Sequence, residues 1–262
     1  MSGEENVSRF KDVDVENKKL PPIGGYWNAK LVSLEEALQP VESLFNDLSR
    51  SIRMAKKHCT YSSDHNLTRD ESAALYLYTM ESGENSFYQI LNAALRSENR
   101  PALIPWFRFL RLFDEALKKL PIVKGSIWRG VPSDVSGIFT KGQVFTWWGI
   151  SSCSTSLEVI EDFLESTTSS TIFMIEAKQG RDVSAYSYLK GENEVLLNFG
   201  TELRVKSKTS KKNSGEIIVY LEELNDDVEV QDIKPKTSPS NNVSKYQIHL
   251  MVRWSIVSSP LK

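Results

Sequence analysis

The chain changes its periodicity once, at Pro121, and that change limits the fold more than any other feature. Before it, apolar residues recur at helical spacing. Phe87, Ile90, Leu91, Ala94 and Leu95 fall on one face, and Phe109, Phe113, Ala116, Leu117 and Leu120 line a helix whose first turn accommodates Pro105. Ser33-Leu-Glu-Glu36 and Thr68-Arg-Asp-Glu71 place a hydroxyl three residues before a carboxylate, so each can satisfy a backbone N–H at a helix start. The first predicts a helix through Leu44, Phe45 and Leu48 to about Cys59. The second precedes Ala73-Ala-Leu-Tyr-Leu-Tyr78, which is apolar all round and therefore reads as a buried helix.

After Pro121 the segments are short, β-branched and aromatic, split by turn residues: 126–131, 143–152, 171–176, 194–197, 202–205, 216–221 and 246–254. One helix interrupts them, from Leu157 to Leu164, followed by a loop over 166–170. The runs 206–214 and 234–245 are polar and basic and read as exposed hairpin excursions. The expected class is α+β. Residues 1–28 form a flexible N-terminal tail in which no function is expected; 29–257 form one domain, with a helical lobe over 29–121 and a β-rich core over 122–257; 258–262 are a C-terminal tail.

Within the β-rich half, the stretch from Tyr186 to Phe199 places Glu192 and Glu194 at the entrance of the apolar run Val195-Leu-Leu197. Read as one strand, they point the same way, with Cα atoms roughly 6.5 to 7 Å apart. Like charges so close raise at least one pKa. A lone Glu-x-Glu is more often a solvated pair on an edge strand, so partners elsewhere must decide its meaning. Arg129 is one candidate, because it interrupts the apolar strand Ile127-Trp-Arg-Gly-Val131 and a buried guanidinium requires an anion. An internal ion pair would serve that need as well as a phosphate. Gly130 beside it would let a ligand approach the backbone. The run Ser151-Ser-Cys-Ser-Thr-Ser156 supplies hydroxyls, either to cap the next helix or to bond a glutamate or a ribose.

Composition removes several classes. With 32 basic against 34 acidic residues the net charge is -2, so no overall field gathers nucleic acid or an anionic membrane. Cys59 and Cys153 are too few for a disulfide framework and form no metal-ligand spacing with His58, His65 or His249. One disulfide remains open, and no metal is expected. The first residues lack an apolar leader and no stretch approaches a membrane span, which predicts a cytoplasmic protein. Serine-histidine-aspartate catalysis lacks a nucleophile elbow.

The order of arginine, serine run and Glu-x-Glu resembles the Arg-Ser-Glu class of mono-ADP-ribosyltransferases. Four further stretches are similar to its arginine-specific branch: Leu67 to Thr79, Phe87 to Arg96, Leu120 to Gly130, and Gly191-Glu-Asn-Glu-Val-Leu-Leu197. The resemblance covers roughly Val32 to Val257. It implies a helical lobe beside two small, mainly antiparallel sheets enclosing an NAD cleft. It also implies transfer of ADP-ribose from NAD, as cosubstrate, to an arginine of a protein acceptor. By the same resemblance Arg129, Ser152, Glu192 and Glu194 are catalytic, and Trp128, Arg129, Gly130, Ser152, Ser154 and Glu194 bind NAD. The acceptor would be met by Tyr186, Tyr188 and Glu192. The serine motif has two registers, Ser152-Cys-Ser154 and Ser154-Thr-Ser156; Ser152 is preferred, with Cys153 departing from the family's threonine. Two alternatives stay open: NAD glycohydrolysis in the same pocket, and a noncatalytic protein-binding module.

Overall fold

The computed structural model describes residues 9, 18–61, 64–81, 85–165, 167–210 and 215–224. The long first helix expected from Ser33 to Cys59 is broken. Helix α1, Leu34–Leu38, passes into a 3-10 turn over Gln39–Leu44, and α2, Leu48–His58, begins afresh. Pro40 has no N–H to extend the α ladder, and its ring crowds the preceding turn. Asp47 then supplies a new cap, accepting from the Arg50 N–H at 3.2 Å.

The second capping signal forms in full. Thr68 Oγ1 accepts from the Glu71 N–H at 3.2 Å, and Glu71 Oε2 accepts from the Thr68 N–H at 2.7 Å. Helix α3, Arg69–Thr79, packs on both α2 and α5 and is buried around most of its circumference, as its composition requires. Helix α4, Phe87–Leu95, follows its own capping box at Ser86. Pro105 lies in a 3-10 turn, Arg100–Trp106, just ahead of α5, Phe107–Lys118, rather than in that helix's first turn. Edge-on contacts among Phe87, Trp106 and Phe109 fill the centre of this lobe.

The strands are β1 (Ile122–Val131), β2 (Val144–Trp147), β3 (Ser151–Ser154), β4 (Ser170–Asp182), β5 (Glu194–Leu197), β6 (Thr201–Ser210) and β7 (Glu216–Glu223), with α6 (Leu157–Leu164) between β3 and β4. Five of them run in the order β1-β4-β7-β6-β2, antiparallel except for β4 beside β7. The short pair β3–β5 joins this sheet at both ends: Ser154 registers with Trp128 of β1, and Leu196 with Arg181 of β4. The fold is therefore mixed helix and mainly antiparallel sheet, with its two sheet parts linked into one hydrogen-bonded network. The basic run after Val205 is strand as far as Ser210, while the strand expected over 246–254 and the run 234–245 lie outside the described residues.

One tertiary contact splits the single strand expected over 143–152. Asn92 of α4 treats Ile150 as a strand partner would, its Oδ1 accepting from the Ile150 N–H at 2.9 Å and its Nδ2 donating to the Ile150 carbonyl at 3.1 Å. A Cβ on Gly149 would meet Asn92 Oδ1 at 3.1 Å, so glycine lets the amide close in. Beyond this point β3 leaves β6 and pairs with β5. The outer face of β5, at Leu196, joins Ile150, Val183 and Tyr186 in the core of the helical lobe, while Cys153, Val195 and Leu197 face the sheet core with Ile127, Trp147 and Phe173.

Asn92→Ala should strip the Ile150 N–H of its partner inside the core and leave the Ile150 carbonyl only its bond from the Tyr78 hydroxyl, at 2.9 Å. Leaving buried polar groups unpaired costs about 1–3 kcal/mol, so the urea midpoint should fall accordingly. An unchanged midpoint would show that the amide does not hold the lobe to β3.

Candidate active site

Glu192 and Glu194 converge, but not as alternate residues of one strand. Glu192 ends a 3-10 turn, Lys190–Glu192; Asn193 takes the left-handed conformation at φ 47°; and β5 starts at Glu194. Asparagine is among the few non-glycine residues that tolerate this region. The bend replaces strand alternation as the reason that both carboxylates face one point. Three hydrogen bonds pin the backbone across it: Ser154 Oγ donates to the Glu192 carbonyl at 2.7 Å, the Thr155 N–H to the Asn193 carbonyl at 3.1 Å, and the Val183 N–H to the Glu194 carbonyl at 3.0 Å. Both side chains are buried, Glu194 completely.

The point they face is a guanidinium from the segment where no function was expected. Arg9 Nε and Nη2 donate to the two oxygens of Glu194 at 2.7 and 2.8 Å, the fork geometry that pairs arginine with carboxylate. Nη2 also bonds Glu192 and reaches Ser187 Oγ at 3.4 Å. Glu81, just past the end of α3, accepts from Arg9 Nη1 at 3.3 Å and from its backbone N–H at 3.0 Å. Ser187 Oγ donates to Glu194 Oε2 at 2.7 Å. Arg9, Glu81 and Ser187 are residues of this cluster that sequence reasoning missed. Ser187 lay inside the stretch singled out, between two tyrosines, whereas nothing local marks Arg9 or Glu81.

Arg129 is fully buried on β1. Its guanidinium lies 5.9 Å from the centroid of the Trp147 ring, Nη1 bonds the Ser152 carbonyl, and Nη2 donates to the Arg9 carbonyl at 3.2 Å. It therefore reaches the same cluster as the two glutamates. Ser152 Oγ is buried and makes no hydrogen bond among the described residues, whereas Ser154 Oγ is used on the backbone of Glu192 and the Ser156 N–H. Ser156 stands at the start of α6. Cys153 points into the sheet core, where burial pushes its thiol up to about 12.

Trp128 and Gly130 face the opposite way from Arg129. Trp128 packs with Ile160, Leu164, Ile172 and Ile218, and a Cβ on Gly130 would lie 2.8 Å from Ile160 Cγ2 and Leu164 Cδ1. The absence of a side chain at Gly130 thus serves the seating of α6. Tyr186 is buried, its hydroxyl 2.7 Å from His65 Nδ1, and Tyr188 is 41% exposed with its ring edge-on to Tyr76. Of the two tyrosines, Tyr188 offers surface to a partner.

Electrostatically the cluster is three carboxylates around one cation. Burial pushes the Glu192 carboxyl up to about 7, against the pull of Arg9 and with the help of Glu194. Burial also raises Glu81, which Arg9 opposes. For Arg9 burial works against the charge, but Glu194, Glu192 and Glu81 outweigh it and hold the guanidinium above its ordinary range.

The profile of a family described as NAD:arginine ADP-ribosyltransferase matches residues 32–229. The chain belongs to that family. It is 35% identical over 159 residues to a Mycobacterium avium (strain 104) protein, Mav, whose name assigns it provisionally as an NAD(+)–arginine ADP-ribosyltransferase. That match covers 60% of this chain and 18% of Mav, so the chain spans about a fifth of its relative's length. Among solved structures, the ADP-ribosyltransferase Vis of Vibrio splendidus in complex with agmatine is similar with TM-score 0.50 and 22% identity, over 78% of this chain and 91% of Vis. HopU1 of Pseudomonas syringae pv. tomato DC3000, also an ADP-ribosyltransferase, gives TM-score 0.51 and 17% identity over 75% and 90%. These likenesses establish the shared fold.

The raised Glu192 pKa has a signed consequence. The folded chain keeps this proton to about 7, whereas an ordinary glutamate loses it near 4.5, so the stability it lends is full below 4.5 and lost as the pH rises through 7. Between about pH 5 and pH 8 the urea midpoint of the wild type should fall further than that of Glu192→Gln. Equal falls would show that Glu192 titrates normally.

Proposed function

We propose that the chain transfers ADP-ribose from NAD to the guanidinium of an arginine in a protein acceptor, releasing nicotinamide. The observation that carries this reading is the convergence of Glu192 and Glu194, in a member of this family, on a guanidinium already seated between them. Ser152 Oγ, buried and without a hydrogen-bonding partner among the described residues, fits a site built for a hydroxyl-bearing ligand, and Arg129 lies within reach of the same cluster.

NAD supplies a ribose whose bond to nicotinamide breaks with the electron pair leaving on the nicotinamide, so positive charge develops on that ribose. Glu194 accepts a hydrogen bond from the ribose 2′-hydroxyl and stabilises that charge; its complete burial strengthens the interaction. Ser187 positions Glu194 through its hydroxyl. Arg129 holds the dinucleotide on its phosphate side, and Ser152 orients the nicotinamide ribose. Glu192 orients the acceptor guanidinium and takes its proton. A free guanidinium has a pKa of about 13, so the proton leaves during or after attack rather than before. A carboxyl pushed up to about 7 is suited to accept it at neutral pH. Tyr188 presents surface to the acceptor. NAD glycohydrolysis would use water in the acceptor's place; the hold of Glu81 and Glu192 on a guanidinium favours arginine.

Incubation with NAD and agmatine should give an ADP-ribosyl-agmatine adduct by mass spectrometry. Glu194→Gln should lower both adduct and nicotinamide release by about a hundredfold or more. Glu192→Gln should lose the adduct and keep nicotinamide release; undiminished transfer by that variant would refute the division of roles.

A further inference from the structure

Arg9 stands 185 positions from Glu194 and is 1% exposed. An arginine awaiting ADP-ribose would need Glu192 and would leave Glu194 to the ribose. Arg9 does otherwise. It takes both oxygens of Glu194, bonds Glu192, and through its own carbonyl occupies Arg129 Nη2. The groups that the proposed function assigns to ribose, dinucleotide and acceptor are thus engaged at once by one residue of the same chain. Glu81 adds an anchor of a different kind, because it binds the Arg9 backbone N–H together with Nη1. A free guanidine lacks the first of these.

We propose that Arg9 is an intramolecular plug, which fills a guanidinium pocket made by Glu81, Ser187, Glu192 and Glu194 and competes with NAD for Glu194 and Arg129. The proposal rests on the NAD reading given above. NAD then binds only those molecules from which Arg9 has withdrawn, and its apparent affinity is reduced by the fraction of chains in that state. Withdrawal also frees the pocket for an acceptor arginine, so one event opens the site to both substrates. The same pocket accounts for two features the transfer itself does not use: the bond from the Arg9 backbone N–H to Glu81, and Arg9 as the occupant.

The test uses the full chain as wild type, Arg9→Ala and Arg9→Lys, with two ligands. The first is an NAD analogue with a carbocyclic nicotinamide ribose, which cannot be cleaved; calorimetry should show its dissociation constant falling about tenfold or more in Arg9→Ala. Arg9→Lys, which keeps the cation without the fork, should fall between the two. The second is agmatine, read by thermal unfolding. It should raise the melting temperature of Arg9→Ala and leave the wild type unmoved, because the wild-type pocket is already filled. Equal analogue affinity in wild type and Arg9→Ala, or equal stabilisation of both by agmatine, would overturn the plug. If agmatine distinguishes the two proteins while the analogue binds neither, the NAD chemistry itself fails and competition with it, so the two failures are told apart.

Discussion

Buried carboxylates must be balanced, and this requirement organises the molecule. Glu194 begins a strand whose next three residues are core, so its carboxylate is withdrawn from water by the same packing that forms β5. Glu192 follows it inward because Asn193 bends the chain, and Glu81 arrives from the end of α3. Carboxylates so placed need a cation and hydrogen bonds to offset their desolvation. Arg9 bonds all three, and Ser187 adds a hydrogen bond to Glu194. The protein thus holds in its centre a site whose electrostatics call for a guanidinium.

The site lies on a seam. The β3–β5 pair presents Cys153, Val195 and Leu197 to the sheet core and Leu196 to the helical lobe, so the glutamates and Ser154 stand where the two cores meet. Asn92 ties the lobe to Ile150 just before β3, and Ser154, Thr155 and Val183 hold the Glu192–Glu194 backbone. The hydrogen bonds under the carboxylates fix the positions from which Glu192 and Glu194 meet Arg9.

The helical lobe was legible because capping and periodicity are local. Thr68 with Glu71, the apolar face of α5, and α6 from Leu157 to Leu164 all follow from residues within a few positions of one another. Pro40 and Asp47 also carried local signals, and these outweighed the apolar residues that suggested continuous helix from Ser33 onward. The division of 143–152 into β2 and β3 had no such signal beyond Gly149, because its cause is Asn92, 58 positions from Ile150. Gly130 was legible as a place where something comes close, but the sequence does not say that the neighbour is α6.

By itself the sequence determined the α-then-β order, the family, and the presence of Arg129, a serine run and two glutamates in the right succession, since each depends on residue type and on spacing along the chain. Tertiary structure alone decided how they meet. It placed Glu192 on a turn rather than a strand, used Ser154 on backbone while leaving Ser152 Oγ buried without a hydrogen-bonding partner among the described residues, and brought in Glu81, Ser187 and Arg9. The physical reason is that charge balance in a buried site is settled by proximity in space. An arginine near the start of the chain and a glutamate near position 190 carry no mark of each other until folding removes both from water.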